Sequence, residues 1–407
     1  MKEEQILVEM IPQKVSEISD LFVCTVSAPG TESGIVAQVR ERLIHILPRI
    51  SCVWSDHTPE AILFITGGSE KAALQRIAKR QNILLVAYPE RNAYAAACEV
   101  KSYLDRTGCA SHLFNLGSRD DRAALEQMIH IRLSVKQFSQ SRIGIVGAES
   151  EWLVNSMPDT VNIRARFGFR LVKIPWSMLD DVTSWPVSPD FLDFFESYRS
   201  NQFEDHSRVY GKILEIIDEN KLDAVTVECF PLVKNQGITA CPALALLNNQ
   251  GIPAGCEGDL VSLTGMLLLH CLTGQVPWMA NLAGIQDGKI WLSHCTVPFS
   301  MVTGYTITTH YETGKGIAVQ GNLPPGAYTL MRLSVDFLAA FVAEGEWCDE
   351  PYDTEACRTQ MVLKLEPGNY AELKSHPLGN HHLILHGKHK NTITTALAFL
   401  NISLRSF

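Results

Sequence analysis

Residues 61–68 read AILFITGG, an apolar run that stops at a pair of glycines. A strand buried on both faces shows continuous apolar sequence, because neither side of it meets water. The stretch therefore predicts a strand of a parallel sheet covered on both sides, followed by a turn. The same texture recurs in LFVCTV (21–26) and NILLVAYP (82–89), and more weakly in SHLFNLG (111–117). Between them lie amphipathic helical patterns, GIVAQVRERLIHIL (34–47) and RNAYAAACEVKSYLDRTG (91–108). Buried strands alternating with helices predict a doubly wound α/β domain over residues 1–140.

The pattern restarts at SRIGIVGAES (141–150), read as a strand, a glycine turn and a helix beginning near Trp152. Neither G-x-G-x-x-G nor a P-loop lysine is present, so the turn reads as an ordinary strand-to-helix connection and not as a phosphate cradle. FRLVKIPW (169–176) and LDAVTVECFP (222–231) supply further strands, with the helix FEDHSRVYGKILEIIDENK (203–221) between them. A second α/β domain is expected over 141–272. Beyond it Thr, Val, Tyr and Gly take over, in KIWLSHCTVP (289–298), GYTITTHYETGKGIAVQG (304–321) and GAYTLMRLSVD (326–336). These read as short antiparallel strands, with hairpins expected in 314–333 and a packed helix in NTITTALAFLNISL near the end. The fold class expected is α/β: two doubly wound parallel-sheet α/β domains followed by a β-rich C-terminal domain, 273–407.

The chain has 407 residues, 46% apolar and 19% charged, which is a folded composition too long for one ordinary core. A net charge of −9 without a Lys/Arg run excludes nucleic acid as the natural partner. The opening MKEEQILVEMIPQK has no basic stretch followed by an apolar one, so no secretory signal is read there. The longest apolar run, LVSLTGMLLLHCL (260–272), is too short to span a bilayer and contains His270. A soluble, cytoplasmic protein is expected. Its eleven cysteines are scattered, form no C-x-x-C pair and sit in apolar runs, as reduced buried thiols do.

The stretch GCEGDL (255–260) sets Glu257 and Asp259 at the mouth of that apolar run. Asp259 is placed to cap a helix starting at about Leu260. Glu257, flanked by glycine, is the better candidate ligand. Other candidates are Asn281 in PWMANLAG, His294 in WLSHCTVP, and His381, His382 and His386 in PLGNHHLILHGKH. Carboxylate, amide and imidazole together suit Mn²⁺ or another divalent cation. A lone strand histidine such as His294 equally reads as a satisfied core residue. Strand alternation sends the neighbours His381 and His382 to opposite faces, so at most one enters a given site.

The ordered set GIPAGCEGDL (251–260), PWMAN (277–281), LSHCTVP (292–298) and GNHHLILHG (379–387) resembles the superfamily of L-fucose isomerase and L-arabinose isomerase, most closely its shorter L-fucose-isomerase-like branch. The resemblance covers residues 225–300 and 376–390, and the N-terminal third by architecture alone. It implies a metal-dependent aldose–ketose isomerase that works on a sugar through a cis-enediol with Mn²⁺. It also implies a homo-oligomer, trimer or hexamer, with the cleft near subunit contacts. By this resemblance Glu257 binds the metal and moves a proton, and the family's second acid falls on Asn281. That is a departure, since an amide ligates through its oxygen but accepts no proton at neutral pH. His382, as the second of the HH pair, and His294 are the implied histidine ligands. Glu228, at the end of a predicted strand, is the candidate for the missing proton relay. Glu228, His381 and Asp259 are expected around the substrate. Asn281 leaves an alternative open: a carbohydrate-binding homologue without this catalysis or with altered chemistry.

Overall fold

The computed structural model describes residues 20–77, 82–198, 200–351, 353 and 355–405. The opening segment MKEEQILVEMIPQK lies outside them. The chain forms two compact units that divide between Leu133 and Ser134, inside the helix Arg119–Gln140.

The first unit holds a parallel sheet of β1 (Leu21–Val26), β2 (Cys52–Trp54), β3 (Ala61–Phe64), β4 (Ile83–Ala87) and β5 (Ser111–Asn115), in the order β2-β1-β3-β4-β5. Every residue of β3 and β4 is buried, which is why those runs carry no polar alternation.

The second unit begins with another parallel sheet, β6 (Arg142–Val146), β7 (Arg170–Ile174), β8 (Ala224–Val227) and β9 (Ala254–Cys256), ordered β7-β6-β8-β9. No helix starts near Trp152: the chain after β6 runs through turns until the helix Thr160–Phe167. The carboxylate of Asp159 caps that helix by accepting from Val161 N–H, and it supplies the start signal that Trp152 lacks.

The β-rich part comprises β10 (Trp278–Gln286), β11 (Lys289–His294), β12 (Tyr305–Thr308), β13 (Ala318–Gly321), β14 (Ala327–Leu333), β15 (Ala339–Cys348), β16 (Thr359–Leu365), β17 (His381–His386) and β18 (Ser403–Leu404). Six of them pair antiparallel in the order β14-β17-β10-β11-β16-β15, and β14 pairs back onto β15, so the sheet closes on itself. Closure removes the edges that a six-stranded open sheet would expose. Both strands in the segment 314–333 pair antiparallel, β13 with β12 and β14 with β15 and β17. The helix Lys390–Phe399 follows, as its apolar spacing predicts.

Between the parallel sheet and the closed sheet lies the helix Leu260–Thr273. It touches β8 and β9 on one side and β14 and β17 on the other. A helix apolar all round has no solvent face to offer, and its first ten residues are all buried. This packing fixes the turn Cys256–Asp259 that feeds the helix. All eleven cysteines are free thiols. Among the described residues no helix is long and apolar enough to cross a membrane.

The turn itself is tight. Gly258 has φ +69°, and a Cβ there would stand 2.2 Å from the carbonyl oxygen of Ala148. Gly258→Ala should therefore lower stability by more than about 1 kcal/mol, the usual scale for alanine forced to positive φ. Gly304→Ala, where a Cβ meets nothing within 4 Å, should change it by less than about 0.5 kcal/mol. Thermal melts of the two variants check the contrast, and equal melting temperatures would count against the tight turn.

Candidate active site

Glu257 occupies the turn between β9 and the buried helix with φ +61°. A residue with a side chain rarely adopts this conformation, and it persists where surroundings impose it. Here Ser150 N–H donates to Glu257 O (3.1 Å) and Gly258 N–H to Val227 O (3.1 Å). The side chain is held as well, since Trp152 Nε1 donates to Glu257 Oε2 at 2.7 Å. The other oxygen, Oε1, lies 3.9 Å from His294 Nε2 and 3.7 Å from His381 Nε2. Both distances are too long for direct hydrogen bonds. Neither Nε2 has a hydrogen-bond partner among the described residues, although both atoms are buried. Buried polar atoms are almost always paired, so two such nitrogens beside one carboxylate oxygen could take a bound ion or molecule as their partner. Glu257, His294 and His381 can offer a metal ion three ligand atoms within 4.8 Å of one another.

The two imidazoles are set differently. His381 Nδ1 donates to Asp259 Oδ2 at 2.9 Å, which leaves Nε2 as the atom facing Glu257. A ligating histidine is commonly oriented in this way by a carboxylate on its other nitrogen. His294 Nδ1 instead accepts from Cys295 N–H at 3.0 Å. The neutral ring thus carries its proton on Nε2, and His294 is disposed to donate toward Glu257 or toward a bound oxygen. With its Nε2 proton displaced, His381 would fit a divalent cation together with Glu257, and His294 would fit the atoms such a cation holds.

The electrostatics follow from burial against charge. Burial raises the Glu257 pKa, but His381, then His294 and the Trp152 donor, outweigh it and hold the carboxyl at about 2. Asp259 is likewise kept well below its ordinary value, burial being overcome by Arg332 and His381. Burial lowers the His381 pKa, yet its bond to Asp259 and the nearby Glu257 carboxylate carry the ring up to about 9. His294 is pushed down to about 4 by burial and by the His381 charge. A divalent ion would compete with the His381 Nε2 proton for the same position.

Above Glu257 lies a cavity of about 580 Å³, walled by Trp152, Phe230, Lys234, Asn281, Tyr311 and Glu312 among others. The Trp152 and Phe230 rings meet edge to face at 4.7 Å, and Lys234 Nζ stands 5.9 and 5.8 Å from their centroids. Glu312 has its pKa raised by burial and by the Glu257 charge. Asn281 shares the wall with Glu257, its Oδ1 accepting from Asn380 Nδ2 at 2.5 Å.

Three expectations need correcting. His382 does not join the cluster. Its Nδ1 donates to Asn380 O (2.8 Å) and its ring packs 6.3 Å from that of Phe341, while its neighbour His381 turns toward Asp259. The alternation of β17 chooses the first histidine of the pair. Asp259 cannot touch substrate: it is fully buried, and its oxygens are taken by Ser262 N–H, Ser262 Oγ, His381 and Arg332. It does cap the helix, as expected. Glu228 spends its carboxylate on Ala148 N–H (2.8 Å), bracing the turn after β6, and does not line the cavity.

No protein-family model matches the chain. It is similar to a curated protein named sulfoquinovose isomerase, from Alkalicoccus urumqiensis, at 22% identity over 285 residues. The match covers 65% of this chain and 64% of that protein's length, less than two thirds. The chain is thus a distant homologue of a sugar isomerase.

The raised pKa of His381 gives a signed test. Against an ordinary value of 6.5, a folded-state value of about 9 means that the ring's charge stabilises the fold fully below pH 6.5. That stabilisation is lost as pH rises through about 9. In chelator-treated protein, the melting-temperature gap between wild type and His381→Gln should be widest at pH 6 and should shrink by pH 10. A gap independent of pH would contradict the pairing.

Proposed function

We propose that this protein is a divalent-metal-dependent aldose–ketose isomerase of the fucose- and arabinose-isomerase type. The observation that carries the reading is the convergence of Glu257, His381 and His294 below a cavity, with two buried ring nitrogens left facing one carboxylate oxygen. The similarity to a sugar isomerase supports it. Glu257 and His381 would hold the ion, with Mn²⁺ the metal expected by resemblance. When bound, such an ion would supply Lewis-acid polarisation of substrate oxygens and stabilisation of the negative charge that proton transfer develops.

The chain's own residues divide the remaining tasks. A carboxylate held at about 2 is a poor base, so Glu257 suits a permanently ionised ligand. Glu312 lines the same cavity and has its pKa raised, which suits a group that takes and returns a proton. We assign it the proton relay that Asn281 cannot supply. Asn281 would bond a sugar hydroxyl, and the faces of Trp152 and Phe230 would flank the ring. His294 would donate to a sugar oxygen. By resemblance, assembly as a trimer or hexamer belongs to the same proposal.

The test is Mn²⁺ titration together with exchange of the C2 hydrogen with solvent, over neutral aldoses and sulfoquinovose. Glu257→Gln should abolish both Mn²⁺ binding and exchange. Glu312→Gln should keep Mn²⁺ binding and lose exchange by ~10²–10⁴-fold, the usual contribution of a general base. Wild-type protein that binds a sugar without exchanging its C2 hydrogen would instead favour a carbohydrate-binding protein. Asn281 in place of an acid is the observation on that side.

A further inference from the structure

Arg332 lies in β14 within the apolar sequence YTLMRL, and only 1% of it is exposed. Its guanidinium reaches four groups. Nη1 donates to Asp259 Oδ2 (3.3 Å), to Ser262 Oγ (2.8 Å) and to the carbonyl of His381 (3.2 Å), and Nη2 donates to Ser156 Oγ (2.5 Å). Each partner belongs to a segment that carries part of the site. Asp259 and Ser262 open the buried helix directly after Glu257. His381 is the ring facing Glu257, and Ser156 anchors the turn that brings Trp152 to the Glu257 carboxylate. Room for the fork is kept by Gly379, where a Cβ would stand 2.6 Å from Nη2 and where φ is +154°. Arg332 itself does not line the cavity.

We infer that Arg332 is the positioning residue of the site, acting through Asp259 and His381 without touching substrate. This rests on the Glu257–His381 cluster being the functional centre proposed above. One planar group with five donors in a fixed fork joins three chain segments at set distances. A lysine ammonium is a point charge and cannot repeat that geometry. Arg332 orients the Asp259 carboxylate and thereby presents His381 Nε2 to Glu257. It also ties the Trp152 turn to the same frame.

The experiment uses the full chain with histidine-selective ¹⁵N labelling, His381 being assigned by difference from His381→Gln. In Arg332→Lys the His381 ring signals should shift, and Mn²⁺ should bind ~10–100-fold more weakly, the usual cost of losing a group behind a metal ligand. Far-UV circular dichroism should be unchanged. Ser156→Ala, which removes one of the four bonds, should move both readouts in the same direction by less, and it decides the matter alone if Arg332→Lys does not fold. Wild-type His381 signals and wild-type Mn²⁺ affinity in folded variants would overturn the inference. If wild-type protein binds no Mn²⁺, the metal reading fails, while the His381 signals still report whether Arg332 sets the ring.

Discussion

The arrangement of this site depends on one buried carboxylate, Asp259. It caps the helix Leu260–Thr273 through Ser262 N–H, accepts from His381 Nδ1 and pairs with Arg332. A cap alone is worth about 0.5–2 kcal/mol, and Ser or Asn would serve nearly as well. The other two partners require an ion. Removing one member of a buried charged set costs about 3–5 kcal/mol, because the rest are stranded away from water. The charge interactions therefore outweigh the cap in deciding that an aspartate stands here. A residue that sequence reasoning places beside a substrate stands behind the ring that faces Glu257.

The charges around Glu257 nearly cancel. Glu257 and Asp259 supply two negative charges, and His381 and Arg332 two positive ones. Under the proposed function, exchanging the His381 proton for a divalent ion would leave a net +1, which would complement negative charge developing on a sugar's oxygens. Asn281 matters for this count. An acid at that position would bring the sum back to zero and would bind such an ion more tightly, whereas the amide would leave a surplus positive charge. The strained backbone at Glu257 and the Trp152 donor hold the carboxylate between the cavity and the His381 ring.

Much of the architecture was legible in the sequence because burial on two faces leaves an unmistakable pattern. Strands such as AILF and ILLVA, and a helix with no polar face, have no other stable place in a soluble fold. Motif order singles out Glu257 and His294, which the structure brings together, and Asn281, which lines the cavity above them. The choice between His381 and His382 was not legible, since only the pairing of β17 with its neighbours determines which ring faces the helix. Trp152 was missed because its segment was read as a helix start. The rule that ligands gather where parallel strands end applies after β6 as it does after β8, and would have pointed to it. Arg332 left a signal: a charge inside an apolar strand needs a buried partner. Glu312, in a loop between short strands, left none.

The most direct test of the account is anomalous diffraction from crystals of the protein soaked in Mn²⁺. The account predicts a peak about 2.0–2.6 Å from both a Glu257 carboxylate oxygen and His381 Nε2, opening onto the cavity. The His294 ring should lie beside it, and His382 should stay at its bond to the Asn380 carbonyl. Absence of manganese at this place, or a manganese ion whose ligands include neither Glu257 nor His381, would contradict it.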